Sequence, residues 1–482
     1  MTSRGSDDAF ADVTAALDRA HALARGWVAG LADQPVSHRL GPEEMAALLD
    51  EPLPEAGADP AGVVAEWLDR AGPGIVASPG PRFFGFVNGG STPAALAGDW
   101  LASAIDQNAG FWLSSPAAAQ TELVVLAWLK DLFGLPAGWS GAMTSGATMS
   151  NLVGLAAARQ WAGQRLGFDP TADGLAGNPP IPVVSSTEIH ASALKALGIL
   201  GIGRAAVRQL PAPGGAVDLA ALEAALAGID GPVVVVANAG EVNTGAFDAL
   251  DRVAALCRAH PGGVWLHVDG AFGLFAAASP RYRSLVAGIE QADSVAADGH
   301  KWLNVPYDSG FAFVRDADAL RAAFSVTGAY IAPAAGAGWD PSSHVPEMSR
   351  RFRALAAWCA LKAYGREGYQ ALVERCCANA AAFAGWTEVT DGIELMAPAP
   401  LNIVCFRVVV PGSGDDALDA LNRATVAAIQ RDGRAFVTVT TWRGRAAIRA
   451  AFDNWATTLD DVAILQQAVA GAREAALGEL ER

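Results

Sequence analysis

Two short segments of the chain place ionisable side chains directly after apolar runs. They read His267-Val268-Asp269-Gly270-Ala271 and Asp298-Gly299-His300-Lys301-Trp302. Each apolar run is predicted to be a buried strand, and ligands of open α/β sheets bind beyond the carboxyl ends of the strands. A carboxylate carried into such a poorly solvated place is costly unless it has a partner. Asp269 and Lys301 are therefore the first candidates for chemistry.

A lysine and a carboxylate at such positions suggest one particular cofactor. Lys301 stands next to Trp302, and loss of hydration there favours the neutral, nucleophilic amine. Taken singly, Asp269 could be a helix cap and Lys301 a surface lysine lying over Trp302. Taken together, they match pyridoxal 5′-phosphate (PLP), which is held by a lysine imine while a carboxylate keeps its ring nitrogen protonated. The protonated ring accepts electrons from a carbanion at the Cα atom of an amino acid.

Two further features fit the same cofactor. His190 follows a predicted strand at 182–185, so it could stack on the cofactor ring or be a capped core histidine. The turn at 144–148 opens a predicted helix, and exposed backbone N–H groups at such a turn favour a phosphate. The candidate phosphate ligands in this turn are Gly146, Ala147 and Thr148.

The elements that must position these residues alternate between helix and strand. Continuous apolar runs such as Val233–Ala237 and Val264–Val268 predict strands buried on both faces. Strands separated by helices predict an α/β fold with a parallel sheet covered on both sides. A helix is predicted over 8–32, and Gly141–Gly146 is predicted to be a turn. The last third is predicted to be a smaller α+β unit, with strands at 403–410, 435–441 and 446–450.

The composition excludes several classes of protein. A net charge of −16 argues against nucleic acid and against an anionic membrane surface. The apolar runs are shorter than a membrane span, and no secretory signal is expected at the N-terminus. The five cysteines form no CxxC pair, which favours buried thiols in a reducing compartment. We therefore expect a soluble, cytoplasmic protein.

The order of several motifs resembles that of the pyridoxal-dependent group II decarboxylases, which include aromatic-amino-acid and glutamate decarboxylases. The resemblance covers about residues 84–365 and implies an obligate homodimer with active sites at the interface. It implies a type I PLP fold with a mostly parallel seven-stranded sheet, a smaller C-terminal α+β domain and an N-terminal helical segment. The implied boundaries are 1–85, 86–365 with a mobile loop at about 328–346, and 366–482. The motifs are Ser91-Thr92-Pro93, Ser115-Pro116-Ala117-Ala118, Thr144–Asn151, His190, His267-Val268-Asp269, His300-Lys301-Trp302 and Arg350–Leu355.

The resemblance also implies roles for individual residues. It makes Lys301 the Schiff-base residue, Asp269 the partner of the pyridine nitrogen and His190 the residue stacked on the ring. Asp298 stands where many relatives have Asn on the phosphate side of the cofactor. The remaining implied contacts are Ala147 and Thr148 at the phosphate, Ala271 under the ring and His300 before the lysine.

One position departs from the family pattern. Related decarboxylases carry a loop tyrosine that helps return a proton to Cα, and the matching residue here is Pro341. We hypothesise that His344 or Tyr330, from either subunit, supplies that proton, since both types of side chain can act as acids.

The sequence therefore predicts a decarboxylase that converts an L-amino acid to an amine and CO₂. Oxygen attack on the carbanion would instead give an aldehyde, and protonation on the cofactor would give aminotransferase activity. A metal hydrolase using His190, His267, Asp269 and His300 is an alternative from a different class, and a structural protein without catalytic activity is another. Four aromatic residues suggest either an apolar substrate pocket or ordinary core: Phe83, Phe84, Phe111 and Trp112.

Overall fold

A seven-stranded sheet forms the centre of the protein in the computed structural model, which describes residues 6–37, 40–326 and 339–480. Its spatial order is β1-β7-β6-β5-β4-β2-β3. Strand β7 is antiparallel to β1 and β6, and the other pairs are parallel. The α/β prediction is confirmed. The strands are β1 (Ser140–Thr144), β2 (Val183–Ser186), β3 (Val207–Leu210), β4 (Val233–Asn238), β5 (Val264–Asp269), β6 (Ser294–Asp298) and β7 (Gly310–Val314).

The central strands are apolar because helices cover both faces of the sheet. Every residue of β4 and β6 is buried. Strands β5 and β6 are parallel neighbours, with Asp269 paired to Ala296. Asp269 and Asp298 are the last residues of these two strands, so both carboxylates lie at one edge of the sheet.

Helix α6 lies directly against the strands that carry these carboxylates. It contacts β5, β6 and β7, and most of its residues are buried. A Cβ atom added at Gly154 would lie 2.7 Å from Cε1 of His267, so only glycine allows this close approach. The helices of this region are α4 (Pro93–Ile105), α5 (Pro116–Phe133), α6 (Ala147–Arg165), α7 (Ala191–Ile199), α8 (Leu219–Ala227), α9 (Leu250–Ala259) and α10 (Ala317–Phe324).

A smaller α+β unit follows, as predicted. Helix α11 (Ala354–Val389) leads into it and is kinked at Gly365, whose φ is 59°. An antiparallel sheet of order β10-β11-β9-β8 then packs against two helices. Its elements are β8 (Ile393–Leu395), β9 (Ile403–Val408), α12 (Asp415–Asp432), β10 (Thr438–Trp442), β11 (Arg445–Ala451) and α13 (Leu459–Leu480). The N-terminal helices are α1 (Ser6–Ala29), α2 (Pro42–Leu49) and α3 (Pro60–Ala71).

Two local predictions differ from the structure. The segment predicted as a turn at Gly141–Gly146 is mostly strand β1, because its small residues pair with β7. The strand predicted at 435–441 is present, but it begins at Thr438 rather than at residue 435, and Phe436 stacks on Phe83 with ring centroids 4.6 Å apart. Among the helices of the described ranges, none combines the length and apolar character that a membrane crossing requires.

Candidate active site

Asp269 is a buried carboxylate with two defined donors. Its Oδ2 accepts a hydrogen bond of 2.8 Å from Nδ2 of Asn151, and its Oδ1 accepts one of 3.1 Å from the backbone N–H of Ala271. The side chain is 5% exposed. Each carboxylate oxygen has a second acceptor position. Asp269 can therefore accept a further proton donor at the edge of the sheet.

Lys301 lies in a π-helical turn, Gly299–Leu303, that follows β6. Asn304 closes this turn, since its Nδ2 donates to the carbonyl of Lys301 at 2.8 Å and its Oδ1 accepts from the backbone N–H of Trp455 at 2.7 Å. On the other side, a Cβ atom at Gly89 would lie 1.9 Å from the Lys301 carbonyl oxygen. The backbone of Lys301 is thus fixed by neighbours from both ends of the chain.

The amine of Lys301 contacts Asp298. Its Nζ lies 3.1 Å from Oδ2 of Asp298 and 6.0 Å from the ring centroid of Phe272. The other oxygen of Asp298 accepts a hydrogen bond of 2.6 Å from the backbone N–H of Ala147, the first residue of α6. Asp298 therefore lies at the helix terminus that the sequence analysis assigned to a phosphate, while Thr148, the next residue, is exposed.

His190 is the N-cap of α7, and its Nδ1 accepts the backbone N–H of Ser192 at 3.2 Å. The residue as a whole is exposed, but partial removal of its ring from solvent lowers the pKa of His190. Asp269 and Asp298 act in the opposite direction, whereas Lys301 and Arg449 lower the pKa further. The charges of all four residues thus reach one imidazole ring. We call the space around this ring the active-site recess.

The ring of His300 stacks on that of a tyrosine, which restricts its rotation. Its ring lies 4.3 Å from that of Tyr307, and its Nδ1 is 3.3 Å from Oδ1 of Asp298. Burial lowers the pKa of His300 more than Asp298 raises it. His300 is therefore placed as a neutral ring beside the carboxylate that contacts Lys301.

Sequence reasoning missed two buried charged residues of the smaller unit, of which Arg449 influences the pKa of His190 and Asp453 responds to Lys301. Arg449 of β11 is buried, and its Nε donates to the carbonyl of Val242 at 2.5 Å. Asp453 follows β11 and is also buried. Burial raises the pKa of Asp453 to about 7, although Lys301 and Arg449 oppose the rise. The available signal was a charged residue inside or just after an apolar strand, which is costly without a role.

Asn151 and Ser192 were also missed as site residues. Asn151 is fully buried in α6, and its Nδ2 donates to Ser192 Oγ at 3.0 Å as well as to Asp269. Ser192 Oγ lies 2.7 Å from Nδ1 of His190. A polar residue inside an apolar helix was the only sequence sign of this network.

The loop residues proposed as proton donors are only partly described. Nε2 of His344 accepts from Nε1 of Trp339 at 3.2 Å, and its Nδ1 lies 3.2 Å from the carbonyl oxygen of Asp340. Burial lowers the pKa of His344 to about 4. Tyr330 lies outside the described residues.

The remaining candidates from the sequence are the aromatic residues suggested for a substrate pocket and the alternative metal site. Phe84 is part of the core with Phe452, and Phe83 stacks on Phe436, so neither is free to line a pocket. The backbone N–H of Trp112 donates to Asp340 at 2.7 Å. Within residues 6–37, 40–326 and 339–480, no group of three or more His, Cys, Asp or Glu side chains is arranged to hold a metal.

The donor set fits pyridoxal phosphate. That cofactor presents an aldehyde, a ring nitrogen and a phosphate. The recess offers an amine at Lys301, an acceptor-only carboxylate at Asp269 and a helix N-terminus at Ala147. His190 is an exposed residue and offers a flat imidazole ring.

Comparison with known proteins agrees with this assignment. Residues 42–409 match the family described as "Pyridoxal-dependent decarboxylase conserved domain". The chain is 29% identical to an aromatic-L-amino-acid decarboxylase of Bacillus atrophaeus, covering 90% of this chain and 89% of the relative. It is 33% identical to an L-2,4-diaminobutyrate decarboxylase of Rhizobium meliloti, with 86% and 82% covered. The crystal structure of Oryza sativa TDC with PLP and tryptamine superposes with a TM-score of 0.89 at 26% identity, covering 98% and 99% of the two chains, which confirms the predicted type I fold.

Proposed function

Because the chain belongs to the pyridoxal-dependent decarboxylases, we propose that Lys301 and Asp269 hold PLP in the recess for the decarboxylation of an L-amino acid. Family membership confirms the predicted resemblance, the PLP cofactor and the carboxy-lyase class. The assignment of residues rests on one observation: helix α6 links the two residues, because its first backbone N–H, that of Ala147, bonds Asp298, which contacts Nζ of Lys301, and its Asn151 bonds Asp269.

Each residue of the recess would have a distinct task. Lys301 would hold the aldehyde carbon of the cofactor covalently, and Asp269 would keep a proton on the ring nitrogen. His190 would lie against the ring. The N-terminus of α6 would bind the phosphate through Thr148, and Ala147 would contribute its backbone N–H only by giving up its bond to Asp298.

The reaction removes the carboxyl group and leaves a proton in its place. When bound, the cofactor accepts the electron pair released as the bond between Cα and the carboxylate breaks. Asp269 retains the ring proton that makes this possible, because its buried carboxylate favours a nearby positive charge. Arg449 supplies a second buried cation that would attract the substrate carboxylate. CO₂ leaves, and a proton is then delivered to Cα to give the amine.

The relatives suggest two substrate classes. One relative acts on aromatic amino acids and another on L-2,4-diaminobutyrate. The buried carboxylate of Asp453 and the cation of Arg449 give the recess charged groups of both signs. We propose amino acids of these two classes as the first substrates to examine.

Product analysis tests the proposed function. The purified holoenzyme is incubated with each of the common amino acids and with 2,4-diaminobutyrate, and CO₂ and amine are quantified. We expect equal amounts of amine and CO₂ from at least one of them. A 2-oxo acid as the sole product, without CO₂, would contradict decarboxylation.

Pro341 makes aldehyde formation the second candidate function. The residue at this loop position is a tyrosine in related decarboxylases, and proline has no acidic group to deliver a proton to Cα. Without that proton, O₂ could oxidise the carbanion left after CO₂ departs and be reduced to hydrogen peroxide, and water would then release the aldehyde and ammonia. Detection of aldehyde and ammonia in place of amine would favour this function.

We also propose a homodimer, supported by large apolar side chains that α1, α3 and α4 leave exposed. Phe10 of α1, Trp67 of α3 and Leu101 of α4 are 72%, 55% and 53% exposed in the single chain. Light scattering of the holoenzyme should give twice the mass of the chain, and Trp67→Glu should shift it toward monomer. All five cysteines are free thiols, which supports a reducing, cytoplasmic location.

A further inference from the structure

The side-chain amide of Asn151 is shared between two residues of the recess. One of its N–H groups is directed at Asp269 Oδ2 at 2.8 Å, and the other at Ser192 Oγ at 3.0 Å. Its Oδ1 lies 2.9 Å from Nε2 of His267. All of the hydrogen-bonding capacity of this buried amide except one lone pair is therefore used.

The chemistry of the partners fixes the direction of every bond on the His267 side. An ionised carboxylate only accepts hydrogen bonds, so the amide nitrogen of Asn151 must face Asp269 and its oxygen must face His267. Nε2 of His267 then carries a proton, and its Nδ1 accepts a hydrogen bond from the hydroxyl of Ser294, whose Oγ lies 2.7 Å away. Ser294 is free to donate because its oxygen accepts from the indole N–H of Trp265 at 2.8 Å.

The low pKa of His267 agrees with this arrangement. Complete burial lowers it to about 4, so the ring is neutral with one N–H and one acceptor nitrogen. Trp265 can only donate and Asp269 can only accept, and the four bonds between them run in one direction without a conflict. The orientation of the Asn151 amide is thus determined independently from both ends.

The other branch sets the protonation of His190. Since Ser192 Oγ accepts from Asn151, its hydroxyl hydrogen is available for Nδ1 of His190 at 2.7 Å. The backbone N–H of Ser192 approaches the same nitrogen at 3.2 Å. Nδ1 is therefore an acceptor, and the proton of the neutral ring is on Nε2. No partner contacts Nε2 within the parts of the chain that the structure describes.

We propose that Asn151 is a positioning residue that orients Asp269 and, through Ser192, holds His190 with its proton on Nε2, so that His190 presents a hydrogen-bond donor to the recess. This inference rests on the proposed function for its catalytic meaning, because Asp269 is assigned there to the ring nitrogen of the cofactor and His190 to a face of the ring. An N–H at Nε2 of His190 can donate a hydrogen bond to the carboxylate of an amino-acid substrate, whereas an unprotonated Nε2 cannot.

Nitrogen NMR of the holoenzyme reads these proton positions directly. The chain has seven histidines, so histidine-selective ¹⁵N labelling gives few signals, and His190→Gln and His267→Gln assign the two of interest. We expect Nδ1 of His190 to be unprotonated and hydrogen-bonded, and Nε2 to carry the proton. A proton on Nδ1 of His190 in the wild-type holoenzyme overturns the proposal.

Asn151→Asp tests the shared amide. Aspartate cannot donate to Ser192, so the hydroxyl of Ser192 turns toward the new carboxylate and Nδ1 of His190 loses its principal donor. The added negative charge also stabilises the imidazolium. We expect the midpoint of His190 protonation to rise by about one pH unit or more. Asn379→Asp is the matched control, because Asn379 is equally buried and its Nδ2 donates to the carbonyl of Thr457 at 3.1 Å, in α11.

Ser192→Ala keeps the test available if the aspartate variant does not fold. This change removes one hydroxyl from the His190 branch only. The Nδ1 signal of His190 should move toward that of a free imidazole, while the His267 signals stay unchanged. Unchanged His190 signals in either folded variant overturn the proposal.

The NMR experiment tests the positioning by Asn151 and the product assay tests the proposed function, so either claim can be wrong while the other is right. If the holoenzyme forms no amine but His190 shows the expected proton on Nε2, the proposed function is wrong and the positioning by Asn151 stands. If amine forms and the proton is on Nδ1, the function stands and the positioning is wrong.

Discussion

The carboxylate of Asp298 lies 3.1 Å from Nζ of Lys301, while its other oxygen accepts the backbone N–H of Ala147 at 2.6 Å. One side chain therefore contacts both the amine proposed to hold the cofactor and the helix terminus proposed to bind its phosphate. The carboxylate of Asp298 is therefore close to the place proposed for the cofactor phosphate, which is also negatively charged.

Asp298→Asn should strengthen cofactor binding. Asparagine can still accept from Ala147, but it removes the repulsion between a carboxylate and the phosphate. We expect the dissociation constant for PLP to fall about tenfold, which corresponds to about 1.4 kcal/mol. Fluorescence titration of the cofactor-free protein measures it. Asp316→Asn is the matched control, since Asp316 caps α10 through Asp318 and Ala319 away from the recess; equal or weaker binding by Asp298→Asn would disprove this explanation.

Asp269→Asn should separate cofactor binding from catalysis. The neutral amide cannot keep a proton on the ring nitrogen, so we expect kcat to fall about 100-fold or more, while the cofactor stays attached to Lys301. Visible absorption reports attachment and CO₂ release reports turnover. Asp248→Asn, another buried carboxylate at this edge of the sheet that bonds backbone N–H groups of Asn238 and Val217, serves as the control for stability. Full activity of Asp269→Asn would remove Asp269 from the proposed role.

Replacing the two loop candidates singly should identify the proton donor. In the described structure both ring nitrogens of His344 have partners, so donation from His344 requires the ring to leave Trp339 or Asp340. We expect either His344→Phe or Tyr330→Phe to lower amine formation about 100-fold and to raise the share of aldehyde. Chromatography of the products decides between them. Normal amine yields from both variants would place the donor elsewhere.

The buried carboxylate of Asp453 should make the cofactor-free protein less stable as the pH rises. Its pKa is about 7 in the folded chain against 3.8 when unfolded, because burial disfavours the charge. The stabilisation is complete below the unfolded pKa and is lost as the pH rises through about 7, with a slope of at most about 1.4 kcal/mol per pH unit. Urea unfolding across this range should show the loss in the wild type and a smaller loss in Asp453→Asn. Identical pH dependence in the two proteins would refute this effect.

The sheet and the residues at its edge could be predicted because both produce a recognisable pattern in the local sequence. Apolar runs such as Val264–Val268 predict buried strands, and a charged residue directly after such a run is conspicuous. Residues joined only by the fold carry no local sign of the partner that they meet. Arg449 and Asp453 are charged residues in and after an apolar strand, but the sequence does not show that Arg449 influences the pKa of His190 or that Lys301 influences that of Asp453. Asn151 meets Asp269 only because α6 packs on β5.

Reduction of the holoenzyme with borohydride tests the central claim most directly, because it fixes the cofactor to the amine that holds it. The chain contains four lysines, Lys130, Lys195, Lys301 and Lys362, so peptide mass spectrometry locates the label without ambiguity. We expect the whole label on Lys301 and none in Lys301→Ala, which should also lose its colour and its amine formation. A label on another lysine, or an active and coloured Lys301→Ala, would contradict the account.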